Sequence, residues 1–450
     1  MGGVLQNVTF DQTQMAYLSN ATPSGGVVTG SLIVAPLPPS GQNQSIANNA
    51  WAASFGSSAT VLTYLTGPTP SIDAGSTAVY GALNLWTTAM SAGTRLSNGF
   101  APIRTFAPNN SWALYWDTAA ASVASPGDVK LARAADCTAT ACAPITLASA
   151  VSLINVAASP DGTHAAYVVR DTTTAGTFDV FLVTVSSGTA TPVVTAGSSG
   201  SIAFSTDGAL LAAIGPAGAL TVINSASGQP ATWAALPTGS RALQVGFGDP
   251  ATLVVRATPM GATTATAYKT TATNAVVLAT GIAGMQLSHS AARGVARFAV
   301  LNTTLSAGIG DMTAYDLTAT SPVGIPLASA ASTSSVAVSY DQTYARVLDN
   351  YDSASQTGTL TLISLMDGTK TTIATGVALS APAFVDQHSL YYIDASGTLT
   401  SSIDGTTATY ASSVDAYRVR YSPTNLYFDV GGGGDTVFGY TAGIYTQPVQ

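Results

Sequence analysis

Short apolar runs rich in Val, Ile, Leu, Tyr and Phe recur along the whole chain, separated by clusters of Gly, Ser, Asp, Asn and Pro. Within them apolar and small polar residues alternate with the period of two expected of strands, and a helical repeat is hard to find anywhere. The pattern predicts an all-β protein. The clearest unit begins with a strand from Ile154 to Ala158, turns at Ser159-Pro160-Asp161-Gly162, and continues with strands His164 to Val169, Phe178 to Val185 and Pro192 to Thr195. That is four strands in about 45 residues, the span of one propeller blade.

The turn recurs in degenerate form, with its third position at Asp11, Gly56, Asn109, Asp161, Asp207, Asp249, Ser290, Asp341, Asp386 and Thr424. Short apolar strands follow, such as Val61 to Leu65, Trp112 to Trp116, Leu210 to Ile214 and Leu390 to Ile393. A period of about 40–50 residues with four strands each predicts a β-propeller of about eight to ten four-stranded blades. A single blade cannot bury both of its faces, so blades stack. The expectation is one large propeller over residues 1–450, with two tandem smaller propellers as the alternative. Pro36 to Asn49, Gly67 to Ser76 and Gly324 to Ser335 are the candidate linkers, and none divides the chain into two plausible rings. In the last unit strands are expected at Tyr417 to Tyr421, Leu426 to Val430, Val437 to Tyr440 and Ile444 to Thr446. Closure of one ring would bring Val4 to Phe10 against or within the blade containing Leu426.

The turns Ser159-Pro160-Asp161-Gly162 and Ser205-Thr206-Asp207-Gly208, and Ser422-Pro423 ahead of a strand, resemble the Ser-Pro-Asp-Gly repeats of TolB-like β-propellers. The motif has a structural reason: Asp accepts a backbone N–H and Gly supplies a positive φ. The resemblance implies an exported or periplasmic propeller acting mainly as an interaction platform; a few members are joined to hydrolase domains. Ten units exceed the usual count of about six to eight.

Composition narrows the partners. The 450 residues carry 14 Lys and Arg against 22 Asp and Glu, a net charge of −8, and 46% of the chain is hydrophobic. So few cations cannot neutralise a phosphate backbone or an anionic lipid surface, which excludes nucleic acid as an expected partner. No apolar stretch is long enough to span a membrane as a helix. Cys137 and Cys142 stand in Cys-Thr-Ala-Thr-Ala-Cys, a spacing that lets a hairpin join them. A disulfide there, in an outer hairpin of the third blade, fits a secreted, cell-surface or periplasmic protein. The chain shows no leader of its own, and removal of a signal peptide or a lipid anchor at the N-terminus is left open. The bond closes a small loop, worth about 2 kcal/mol in the entropic model. Reduction is therefore expected to leave the fold intact, and two free thiols in protein made under oxidising conditions would refute the bond.

Chemistry is sparse. A Ser-His-Asp hydrolase needs a base, and the three histidines are His164, His289 and His388. His164 and His388 follow blade turns, where a polar hairpin end is the expected role. Gly197-Ser198-Ser199-Gly200-Ser201 misses the nucleophile elbow Gly-x-Ser-x-Gly. The best oxygen cluster for calcium is Asp349-Asn350-Tyr351-Asp352 with Ser353 and Ser355, read here as a polar loop. Gly431-Gly432-Gly433-Gly434-Asp435 lacks the Lys and helix of a phosphate loop. Asn7, Asn20, Asn43, Asn109 and Asn302 begin glycosylation sequons, as expected by chance in so Thr- and Ser-rich a chain. Trp51, Trp86, Trp112, Trp116 and Trp233 fall mostly in strands, where packing rather than sugar stacking accounts for them; Trp112 and Trp116 share a face.

Together these readings predict a secreted or periplasmic β-propeller that is not an enzyme, has no cofactor and no metal, and serves as a protein-interaction, assembly or surface-structural module. The alternatives are a glycan or small-ligand binder using the axial channel, and a hydrolase or lyase whose site is not recognised.

Overall fold

Among the described residues strands pair antiparallel with their neighbours in sequence: the first seven run on as one sheet, and beyond them the pairing restarts after every third or fourth strand. The computed structural model describes residues 4–8, 13–24, 26–37, 42–57, 60–287, 295–303, 308–339, 341–379, 383–384, 390–403, 405–418, 425–430 and 443–448, with side chains up to 414 apart from 383–384. The described residues form ten successive blades of an all-β propeller fold. The third consists of Arg104–Phe106, Trp112–Thr118, Gly127–Arg133 and Ile145–Val151. The fourth consists of Leu153–Ala158, His164–Arg170, Phe178–Thr184 and Thr189–Gly197. The first two blades share one strand. Gln44–Phe55 pairs through Gln44 to Ala50 with Val27–Pro36, as the outer strand of the first blade. Its second half pairs with Val61–Pro70, as the inner strand of the second blade.

The core sits between blades, because alternate residues of each central strand face opposite neighbours. On Trp112–Thr118, Trp112, Leu114 and Trp116 join a cluster with Tyr167 and Val183 of the fourth blade. Ala113 and Tyr115 turn the other way, to Leu62 and Leu85 of the second. On Phe298–Asn302, Phe298 and Val300 face Ala345 and Val347 of the eighth blade, while Ala299 and Leu301 face Val254 of the sixth. Trp86, Trp112 and Trp116 are fully buried, so packing accounts for them, as their strand positions predict.

The chain divides into two compact units, residues 1–217 with 223–230 and residues 218–222 with 231–450, so the division falls inside the fifth blade and at none of the candidate linkers. Those segments are largely blade material: Gly324–Ser332 is the outer strand of the seventh blade, and Gln44–Phe55 begins inside Pro36 to Asn49. Gly67 to Ser76 likewise begins within Val61–Pro70, an interior strand of the second blade. In the last blade the first strand is Val414–Arg418, earlier than expected. Gly443–Pro448 pairs directly with Asn425–Val430, so it is the third strand rather than the fourth; Val437 to Tyr440 lies outside the described residues.

Outer strands carry a second repeat that the sequence reading missed. Between the third and fourth strands the register slips by one residue, as at Phe178↔Gly197 and Val180↔Val194. The same slip occurs at Gly127↔Val151 and Val129↔Ala148, and at Gly310↔Ala331 and Met312↔Ala328. Each bulge holds a left-handed residue: Ala150, Ala196 and Ala330 at φ 54°, 52° and 52°. Glycine takes the place in two other blades, at Gly281 and Gly376. The sequence signal is Ser or Thr followed by Ala or Gly: Ser149-Ala150, Thr195-Ala196, Thr280-Gly281, Ser329-Ala330 and Thr375-Gly376. The Asp128, Asp179 and Asp311 carboxylates accept the N–H of the three alanines at 3.3, 3.0 and 3.2 Å. Left-handed alanine costs about 1–2 kcal/mol. Ala196→Gly is therefore expected to stabilise the protein by up to about 1 kcal/mol, the gain being trimmed by glycine's greater freedom when unfolded. Thermal unfolding checks this, and a lower midpoint would show that the bulge is not strained.

Candidate functional site

The inner turns are built from hydrogen bonds within a few residues of sequence. Ser159 is fully buried. Its hydroxyl gives its proton to Asp161 Oδ1 at 2.5 Å and accepts the His164 N–H at 2.9 Å. Asp161 Oδ1 also accepts the Thr163 N–H at 3.1 Å, and Gly162 sits at φ 72°. Ser205 and Asp207 repeat the arrangement at 2.6 Å, with the Leu210 N–H 2.9 Å from the serine oxygen. So do Ser339 and Asp341 at 2.8 Å, with Tyr344 N–H at 2.9 Å. There Gln342 takes the glycine's place at φ 60°. Burial works against the charge of Asp161, but the Ser159 and Thr163 hydroxyls and the Thr163 N–H more than offset it and hold the carboxyl below its ordinary range.

These turns also dock blade on blade. Trp112 Nε1 donates to Gly162 O at 2.6 Å, and Asn110 Nδ2 to Ser54 O at 3.1 Å. Gln342 reaches the preceding blade, donating to Val295 O at 2.8 Å while its Oε1 accepts the Arg297 N–H.

Of the residues singled out for chemistry, His164 stands beside Thr163, which also reaches Asp161. Thr163 Oγ1 lies 2.6 Å from Asp161 Oδ2 and 2.8 Å from His164 Nδ1. An ionised carboxylate only accepts, so the hydroxyl proton goes to Asp161 and the hydroxyl oxygen accepts from the imidazole. Hydrolysis by a triad needs the reverse transfer, from hydroxyl to imidazole. His289, His388 and Gly431 to Asp435 lie outside the described residues. Ser198, at the start of the serine- and glycine-rich segment, donates from its N–H to Gly215 O at 3.1 Å. In the polar loop that offered the best oxygen cluster for calcium, Asp352 accepts the Ala354 N–H at 2.9 Å and the Ser355 hydroxyl at 2.8 Å, and Asp349 accepts the Asn350 N–H at 2.9 Å. The Ala354 N–H and the Ser355 donors hold the Asp352 carboxyl below its ordinary range. Among the described residues no three His, Cys, Asp or Glu side chains gather as a metal site. Among the sequons, Asn302 is buried, whereas Asn20 and Asn109 are exposed.

Cys137 and Cys142 are bonded, their Cα atoms 4.1 Å apart, in the hairpin between the third and fourth strands of the third blade. The Thr94 hydroxyl of the second blade donates to Thr138 O, and Cys137, Ala139 and Cys142 pack on the core of the first blades.

Two clefts open on the edge of the blades where these turns and hairpins emerge. One, of about 470 Å³, lies between the third and fourth blades, lined by Trp112, Arg133, His164 and Ser186 among others. Its arginine is engaged, with Nε 2.5 Å from Asp136 Oδ2 and Nη1 donating to Ser186 O at 2.7 Å. The other, of about 430 Å³, lies between the seventh and eighth blades. It holds the Arg297–Asp316 pair at 2.6 Å, and on its rim Val323 and Met366 are 77% and 66% exposed.

Comparison with known proteins gives shape alone. No protein-family model matches the chain, and no curated protein matches its sequence. Among solved structures, the crystal structure of a eukaryotic initiation factor is 11% identical with a TM-score of 0.49, over 82% of this chain and 87% of that one. Porphyromonas gingivalis dipeptidyl peptidase 4 is 11% identical with a TM-score of 0.48, over 95% of this chain and 64% of that one. The C-terminal WD40 domain of Sif2 is 12% identical with a TM-score of 0.43, over 80% and 95%. Likeness at this level carries no functional argument.

Proposed function

We propose that this protein is a non-enzymatic β-propeller of the TolB-like kind that acts outside the cytoplasm, as a protein-interaction or assembly module. The observation that carries the reading is the exposed pair Val323 and Met366 flanking one cleft, on a chain with only 8% charged residues. Large exposed side chains sharing a rim mark interaction sites, and a surface so poor in charge has little repulsion to hold neighbours apart. The disulfide supports an oxidising compartment.

Outer strand edges are a less suitable contact. Among the described outer strands Arg95 and Lys370 are the charged residues, but the bulges twist the edge away from pairing. Association is therefore assigned to the blade faces and clefts. Replacing Val323 and Met366 together with aspartate is expected to abolish association while changing stability by no more than about 0.5 kcal/mol, as exposed substitutions do. Sedimentation velocity on the folded double variant is the test. Association that survives in it would contradict this surface.

A further inference from the structure

Charge is spent differently in a third cleft, of about 120 Å³, between the inner strands of the second and third blades. In the two larger clefts Arg133 and Arg297 are each paired with an aspartate. Here the cation is Arg104, first residue of Arg104–Phe106, and it belongs to none of the ion pairs formed among the described residues. Its Nη1 donates to Ala101 O at 2.9 Å. Arg104 is itself half-buried, and burial pushes the guanidinium's pKa down; among the described residues no acidic side chain pairs with it. Arginine keeps its proton regardless, so a fixed positive charge stands partly out of water without a counter-ion among the described residues, a costly arrangement unless something fills the role.

We propose that this cleft binds a carboxylate carried on a small apolar group. With Nη1 occupied, the Nε and Nη2 edge of the guanidinium remains, and that edge matches the two oxygens of a planar carboxylate. The lining supplies one cation, not two, which suits a monoanion better than phosphate. Leu65, Leu83 and Phe106 give the remaining wall an apolar character that a short aliphatic tail would cover. Ser54 and Thr63 donate to backbone carbonyls at 3.3 and 3.4 Å, long bonds that leave both hydroxyls ready to turn to a better acceptor. The carboxylate could belong to a free organic acid or to the C-terminus of a polypeptide. This inference does not depend on the surface at Val323 and Met366.

Isothermal titration with acetate, with propionate and with an N-acetylated tripeptide in free-acid and C-terminal amide forms tests it. The expected result is saturable millimolar binding of the carboxylates and none of the amide, weakened at least tenfold by Arg104→Gln and also by Ala53→Leu, which narrows the cleft while keeping the charge. Circular dichroism confirms that each variant is folded; should Arg104→Gln not fold, Ala53→Leu decides. A free-acid tripeptide binding more tightly than propionate supports the proposal with a polypeptide terminus as the source, and equal binding supports it with a free acid. Absence of saturable binding, or binding unchanged in the folded variants, would overturn it.

Discussion

Trp116→Ala is expected to lower stability by about 3–5 kcal/mol, the cost of emptying a large aromatic site in a packed core. Trp116 is fully buried, in the cluster that joins the third blade to the fourth. Gly127 lies so close that a Cβ built on it would come within 2.7 Å of Trp116 Nε1, so backbone as well as side chains shapes the site around the indole. The indole N–H has no hydrogen-bond partner among the described residues. Trp116→Phe therefore removes an unsatisfied donor along with some volume and is expected to cost far less than the alanine variant. Denaturant unfolding of the two variants checks the ordering; equal losses would mean that the N–H matters more than the packing.

Asp117→Ala is expected to cost a similar amount, about 3–5 kcal/mol, through charge rather than volume. The carboxylate is buried beside Lys130, with Nζ 2.7 Å from Oδ2, and it accepts the N–H groups of Asn98 and Gly99 at 3.0 and 2.9 Å. Removing it leaves the largely buried Lys130 ammonium with only the more exposed Asp128 carboxylate, 4.0 Å away, and strands two backbone donors at once. Because the lysine accounts for much of that cost, Asp117→Ala combined with Lys130→Met should be less damaging than Asp117→Ala alone. A double variant at least as unstable as the single one would show that the two backbone donors dominate.

The parts of this fold legible in the sequence are those with local causes. Leu210–Ile214 and Leu390–Ile393 fall where the apolar runs put them, because a strand buried on both faces needs an unbroken run. The turn at Ser159 was legible through Asp and Gly at fixed offsets. At Ser339 the turn was legible only in degenerate form, through Asp341, since Gln342 adopts the conformation that glycine usually signals. The bulges escaped notice because alanine gives no hint of a left-handed backbone, and the supporting aspartate lies a whole strand away in sequence. The Arg104 cleft was also invisible. Its character rests on Arg104 being brought against Ser54, Thr63 and Leu65 of the second blade, and that is settled only by stacking one blade on another.

Multi-angle light scattering across a concentration series, with negative-stain images of material from the native source, tests the claim of function through association most directly. The account predicts mass above that of the 45.1 kDa chain, rising with concentration or already complete, and particles larger than one chain in the native material. Strictly monomeric protein at every concentration, together with single-chain particles from the source, would contradict it.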